Sequence, residues 1–287
     1  MIKQVNGSTS SHCVVKPIGA AVSLAMAVLL SIPVSGARAD TEPSTPVVFQ
    51  AAGPDAESIQ STVDAFRAAL GEPNNGNEPG PIAAGRREIN WDGGGGVDTT
   101  TPPVTPFDVF LDARGAQFST PGTGLTQAPP SGGVEGGLAM LFNNPSYATT
   151  FGTFSPLRLF SPVDSNLTVA RFFIPGSNGG TPANVSGFGA VFTDVDRLAG
   201  VLPTTRRPTQ IAFFDEEGRR LIRLTVPGSA GDASLSFLGV VFDEARIATV
   251  RITTGSVPPG PDDDLQHDIV VMDDFIYGEP RLPSGSE

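Results

Sequence analysis

Glycine and proline punctuate this chain so often that a helical bundle is ruled out. The 287 residues include 34 Gly and 27 Pro. Beyond the first forty residues they cut the apolar segments to strand length, with one exception. Disorder is excluded as well, because 39% of residues are apolar and only 17% are charged, enough apolar surface to build a sizeable core. The pattern predicts a β-rich, loop-rich globular protein of one large domain or two small ones. Acids outnumber bases by 30 to 18, a net charge of −12, which argues against nucleic acid or an anionic membrane as the main partner.

The first forty residues read as an address. Lys3 and Lys16 precede a charge-free apolar run from Ile18 to Ile32, and Ala37-Arg38-Ala39 follows as a small-x-small cleavage site before Asp40. Together these make a secretory signal peptide over residues 1–39. Retention as a membrane anchor is the competing reading, set against the short run and Pro33 at its end. Cys13 lies before the apolar run, where a lipoprotein would need it after. With no second stretch of spanning length, the expectation is a secreted or periplasmic bacterial protein with no integral membrane segment after cleavage.

Cleavage would remove the only Cys, both Lys and His12, leaving His267 as the single histidine and fifteen Arg against thirty acids, about −15 in charge. Structural zinc of the Cys/His type, thiol catalysis, Schiff-base chemistry and a P-loop all fall away. A Ser-His-Asp triad would have to use His267, and no G-x-S-x-G elbow is present. What remains is carboxylate chemistry or calcium, which need only Asp, Glu and backbone oxygens. Without disulfides, stability must come from core size or a bound ion.

Three zones follow. Residues 40–84 hold the one convincing helix, at about 55–70. Gly53-Pro54-Asp55 supplies a cap and a first-turn proline, Ile59, Val63, Phe66 and Leu70 share one face, and Gly71 is the stop. Residues 72–85 are turn chemistry, an ordered loop or linker. In the second zone, to about Pro182, strands are expected at 87–91, 107–111, 116–120, 138–142, 156–160 and 167–174, with Asp112-Ala113-Arg114-Gly115 as a turn. In the third, strands are expected at 188–195, 211–214, 221–226, 234–242, 247–253 and 269–277. Asp215-Glu216-Glu217-Gly218 makes a hairpin turn between the second and third of these. The predicted fold is all-β, an antiparallel β-sandwich or jelly-roll-like domain over residues 85–280 with one short N-terminal helix and a disordered tail at 281–287.

The strings GRREINWDGGG at 85–95, GAVFTDVD at 189–196 and DIVVMDDFIYGEP at 268–280 resemble a family of uncharacterised exported bacterial proteins. That resemblance covers roughly residues 66–280 and implies export and a β-sandwich, with no activity attached. The last string is also similar to the end of bacterial ectodomains that carry a surface-sorting tail. Here no apolar helix and basic tail follow it, which favours a freely secreted or periplasmic protein.

Candidate sites lie among the acids. Asp194 and Asp196 alternate on one face at a strand end, where both can reach one calcium ion or simply open a solvated loop; the spacing is not that of an EF-hand. Asp273 and Asp274 interrupt an apolar run. As strand neighbours they should point to opposite faces, so that at least one needs an Arg, backbone N–H groups or calcium as partner if both faces are buried, and neither does if the strand is an exposed edge. Asp262-Asp263-Asp264, with His267 and Asp268, reads as a solvated acidic loop. Asn90-Trp91-Asp92 carries the sole Trp, a core residue or, if exposed, a sugar-stacking platform with Asn90 and Asp92 bonding hydroxyls. The Arg86-Arg87 pair beside it is expected to find nearby acids. The sequence therefore predicts a non-enzymatic binding or extracellular-matrix module whose partner is an extracellular glycan or envelope component. The alternatives are a carboxylate-dependent glycan-cleaving enzyme, for which one Trp and two Tyr are few, and a structural cell-envelope protein.

Overall fold

The computed structural model describes residues 45–93, 96, 98–196, 208–262 and 267–283. The expected signal peptide, the loop after Asp196, part of the acidic loop at 262–264 and the last residues of the expected tail lie outside them. In chain order the elements begin with β1 (Val47–Gly53), α1 (Ala56–Leu70), β2 (Arg86–Ile89), α2 (Leu111–Arg114), β3 (Ala116–Ser119) and β4 (Gly124–Ala128). Next come α3 (Gly137–Leu141), α4 (Tyr147–Thr150), β5 (Leu159–Val163), β6 (Leu167–Phe173), β7 (Pro182–Ala183) and β8 (Gly187–Thr193). The chain closes with β9 (Gln210–Phe214), β10 (Arg220–Thr225), β11 (Leu235–Val241), β12 (Thr249–Thr253) and β13 (Val271–Gly278).

These strands form two antiparallel sheets that pack as a sandwich. The larger runs β1-β11-β8-β13-β5-β4, with β2 also on β13; the smaller runs β10-β9-β12-β6-β3, with β7 on β6. Alternate side chains of both sheets meet between them: Phe160, Phe188, Phe192 and Phe275 from the larger, Phe118, Phe213 and Ile252 from the smaller, all within 1% of full burial. At about 25 cal/mol per Å² of apolar surface removed from water, such aromatics supply the stability that disulfides provide elsewhere.

The larger sheet is covered on its outer side too. Asp55 caps α1 by accepting from the Ser58 backbone N–H at 2.9 Å and its hydroxyl at 2.6 Å, a cap worth about 1 kcal/mol. Pro54 thus precedes the cap rather than sitting in the first turn. The expected stripe of Ile59, Val63, Phe66 and Leu70 is buried against Val191, Leu235, Phe237 and Ile276. Phe66 lies over Gly189 and Gly239, which face each other across β8 and β11. A Cβ on Gly239 would come within 2.6 Å of the Phe66 ring, and one on Gly189 within 2.8 Å. Because β1 is an edge strand of the sheet and α1 lies on it, residues 45–84 are continuous with the sandwich rather than appended to it. Among the described residues no helix is long and apolar enough to cross a membrane.

The hairpin of β9 and β10 forms as expected, with Gly218 at φ 75°. Three expectations change. Residues 138–142 form the short helix α3, whose Leu138 packs with Tyr147 and Phe151 against Ile269 and Val271; an apolar run this short carries no decisive period. Residues 107–111 contribute only one bridge, Phe107 to Phe118, before turning into α2. β5 begins at Leu159, because the N–H groups of Leu157 and Arg158 are held by Asp92 instead of a strand. The pattern reading also passed over β1 and β4.

Candidate functional site

The carboxyls of Asp273 and Asp274 lie side by side. β13 pairs with β8 through Met272 opposite Phe192 and Phe275 opposite Ala190, so two residues face the single Val191. This β-bulge turns both Met272 and Phe275 toward the inter-sheet core and leaves Asp273 and Asp274 together on the α1 side. The expectation that they point to opposite faces is thereby corrected. The inserted residue shifts the strand's alternation, and only pairing with β8 reveals it.

Asp273 is fully buried and Asp274 is 4% exposed. Asp273 Oδ2 accepts from the Phe154 backbone N–H at 2.6 Å, and the Ser155 hydroxyl donates to Asp274 Oδ1 at 2.6 Å and lies 3.3 Å from Asp273 Oδ1. Arg67 of α1 stands 3.8 Å from Asp274 and is itself bound to Glu88 at 2.9 Å. Burial, and then the adjacent Asp274 charge, push the Asp273 carboxyl well above the usual carboxylate range. Burial raises Asp274 as well, opposed by its hydrogen bonds to Ser155 and Asp273 and by the Arg67 charge. Both carboxyls are therefore harder to ionise than free ones, Asp273 most of all because it is fully buried beside a second acid.

Trp91 is at the centre of the core. It is fully buried, stacks on Phe160 with ring centres 3.7 Å apart, and meets Phe107, Phe110, Phe118 and Phe275 edge-on. Its indole N–H donates to the Asp273 carbonyl at 2.7 Å. No face is left for a sugar, so the platform expectation for Asn90, Trp91 and Asp92 gives way to a structural one. Asn90 is exposed, and its carbonyl lies 3.4 Å from the Ser155 hydroxyl. Asp92 Oδ1 accepts from the N–H groups of Leu157 at 2.6 Å and Arg158 at 2.9 Å.

Two motifs far apart in sequence thus converge on one loop, residues 152–158. Asn90-Trp91-Asp92 holds its far end, Asp273-Asp274 its middle, and the Thr193 hydroxyl its start through the Gly152 N–H at 2.9 Å. No local pattern marks this loop, which becomes visible only when the strands are paired.

A second buried charge cluster closes the other end of β13. Glu279 receives both Arg87 Nε at 2.7 Å and Nη2 at 2.8 Å, and Asn75 Nδ2 at 2.9 Å, with Arg87 and Glu279 side chains both at 0% exposure. Arg86 meets Glu88 at 2.7 Å and Glu72 at 2.6 Å, so both arginines of the pair find acids. Tyr277, its phenol raised by burial, donates to the Arg114 carbonyl at 3.0 Å.

Asp194 and Asp196 do not join these groups. β8 ends at Thr193, and Asp194 turns the chain at φ 64° with its N–H on the Ser234 carbonyl. Asp194 is buried while Asp196 is exposed, so the turn separates two residues that alternation would have placed on one face. Val271 pairs with Thr193, so Asp194 sits three residues along β8 from the Val191 that faces the bulge, roughly 10 Å at strand spacing. Among the described residues no three acidic, His or Cys side chains converge to hold a metal ion.

One surface was missed by the sequence reading. The outer face of the smaller sheet carries Arg223, Ala212 and Arg251 in one cross-strand row, and Arg220, Phe214, Thr249 and Arg171 in the next. These arginines are exposed, and among the described residues they make no ion pair with a carboxylate. Arg251 lies over the Phe214 ring at 4.9 Å, a cation–π contact that orients its guanidinium. The signal lay in the outward positions of Arg171, Arg223 and Arg251 within alternating strands, but strand register was needed to bring them together. No family model matches this chain, and neither the curated proteins nor the solved structures contain a match.

Proposed function

We propose that this chain is an exported, non-enzymatic binding module for extracellular carbohydrate. The observation that carries the reading is the outer face of the smaller sheet, where half-buried to exposed Arg, Thr, Gln and Phe side chains lie in adjacent cross-strand rows. Thr225, Gln210 and Thr253 make a row of hydroxyl and amide groups beside the arginines, suited to sugar hydroxyls. The acids favour the same reading over hydrolysis. A glycosidase needs two carboxyls about 5–10 Å apart flanking the scissile bond in an open groove. Asp273 and Asp274 share hydrogen bonds beneath α1 and the 152–158 loop, too close together and too enclosed for a sugar to enter.

Affinity electrophoresis of the purified chain through gels containing a panel of polysaccharides, with a reducing-end assay run alongside, tests the reading. The expected result is retardation by at least one polysaccharide without new reducing ends. Unretarded migration in every gel, or release of reducing sugar, overturns it.

A further inference from the structure

The same face also specifies a class of carbohydrate, an inference that rests on the binding-module reading above. We propose that Arg171, Arg220, Arg223 and Arg251 bind an acidic polysaccharide, one bearing carboxylate or sulfate groups along its length. Arg223 and Arg251 flank Ala212 on β10 and β12, two strand spacings or about 10 Å apart. In the next row Arg220 and Arg171 are separated by Phe214 and Thr249, about 14 Å between them. The rows lie about 7 Å from each other along the strands. The four guanidiniums therefore mark out an elongated array, large enough for several sugar units to lie across.

Charge complementarity argues for the occupant. The chain carries −12 overall, yet the cross-strand rows holding these arginines contain Ala, Ser, Thr, Val, Gln and Phe and no carboxylate. Of the carboxylates at the margins, Asp215 and Glu217 are held by Arg219 at 2.8 and 3.0 Å and Asp108 by Gln117 at 3.0 Å, while Glu216 stands at the rim. Four cations with open donors on an acidic protein suit anions whose paired oxygens can accept a guanidinium's two parallel N–H groups. Two hollows extend the face in opposite directions. One of about 490 Å³ lies beside Arg223, Gln210 and Pro208, and one of about 310 Å³ lies beside Arg171, Thr249 and Phe173 with Glu216 at its rim. Neutral positions between the arginines suit charges spaced sugar by sugar. Duplex nucleic acid, with a charge about every 1.7 Å of its axis, would instead place most of its phosphates beyond the four arginines and against a chain of net charge −12.

The test uses the purified chain with alginate as the acidic probe, dextran as the neutral one and duplex DNA as the competing polyanion, each titrated by calorimetry from low salt to about 0.5 M. Alginate is expected to bind, with affinity falling as salt rises. Arg223→Gln and Arg251→Gln should each weaken it about tenfold or more, the loss of one charge-assisted contact. Circular dichroism should match the parent for every variant. Dextran binding as tightly as alginate, indifferent to the arginine variants, overturns the acidic class while leaving the binding-module reading intact. DNA binding as tightly as alginate overturns the commitment to carbohydrate, and no binding of alginate overturns the acidic class, while the binding-module reading stands or falls with the polysaccharide panel.

Discussion

Glu279→Gln tests whether the far end of β13 is held by a truly desolvated ion pair. The substitution keeps the side chain's shape and removes its charge. The wild-type carboxylate accepts two parallel bonds from Arg87, one from Asn75 and a longer one from the Ile82 N–H at 3.3 Å. Every acceptor site is occupied, and every donor aimed at it is buried or nearly so. With Gln present, Arg87 remains a cation at 0% exposure whose acceptors are all neutral: one amide oxygen of the Gln and the carbonyls of Gly76 at 2.9 Å and Ala113 at 3.1 Å. The new amide N–H₂ also points toward donors. Breaking a buried pair from one side costs about 3–5 kcal/mol. In a domain of this length each kcal/mol moves the melting temperature about 2–4 °C, so the variant should melt about 6–20 °C lower by calorimetry. Arg87→Met with Glu279→Leu removes both charges and should recover most of that loss, giving a large coupling in the double-mutant cycle. A single variant melting within about 2 °C of the parent would refute the reasoning, because it would mean that water already solvates Arg87.

Two further expectations follow from the same sheet. Asp273 is raised by burial, so the folded chain binds a proton that the unfolded chain has released, and stability falls as pH rises from the ordinary carboxyl range through the pair's folded titration. Asp273→Asn imitates the protonated form and should flatten that slope and raise the neutral-pH urea midpoint; a pH series showing the parental slope would contradict a raised Asp273 carboxyl. Gly239→Ala drives a methyl group into the Phe66 ring and should cost about 1–3 kcal/mol. Phe66→Leu on that background should return part of the loss in urea unfolding, and strictly additive costs would show that the ring does not rest there.

What could be read in advance depended on how far apart the deciding residues lie. α1 was legible because its cap at Asp55, its stripe from Ile59 to Leu70 and its stop at Gly71 all sit within seventeen residues of one another. The β9–β10 turn was legible for the same reason. The positions of most strands could be seen in their apolar runs, yet the side on which a residue falls could not. Asp273 and Asp274 share a face only because β8 imposes the bulge. Trp91 is a core residue because Phe107, Phe118, Phe160 and Phe275 arrive from four separate segments. Leu138 was misplaced for the opposite reason, a run so short that helix and strand fit equally. The arginine face needed the register of four strands at once.

The position of α1 has a consequence for how the protein is made. Val47 pairs with Val241, and Phe66 rests on Gly239 and Gly189. The segment synthesised early therefore finds its partners only when β8 and β11 have been made. Until then the stripe of Ile59, Val63, Phe66 and Leu70 has no surface to cover. Contacts this remote close slowly and leave apolar surface exposed meanwhile. Until residues 187–241 arrive, the chain must carry that apolar stripe unshielded, a reason for such a protein to depend on a holding chaperone while it is being completed.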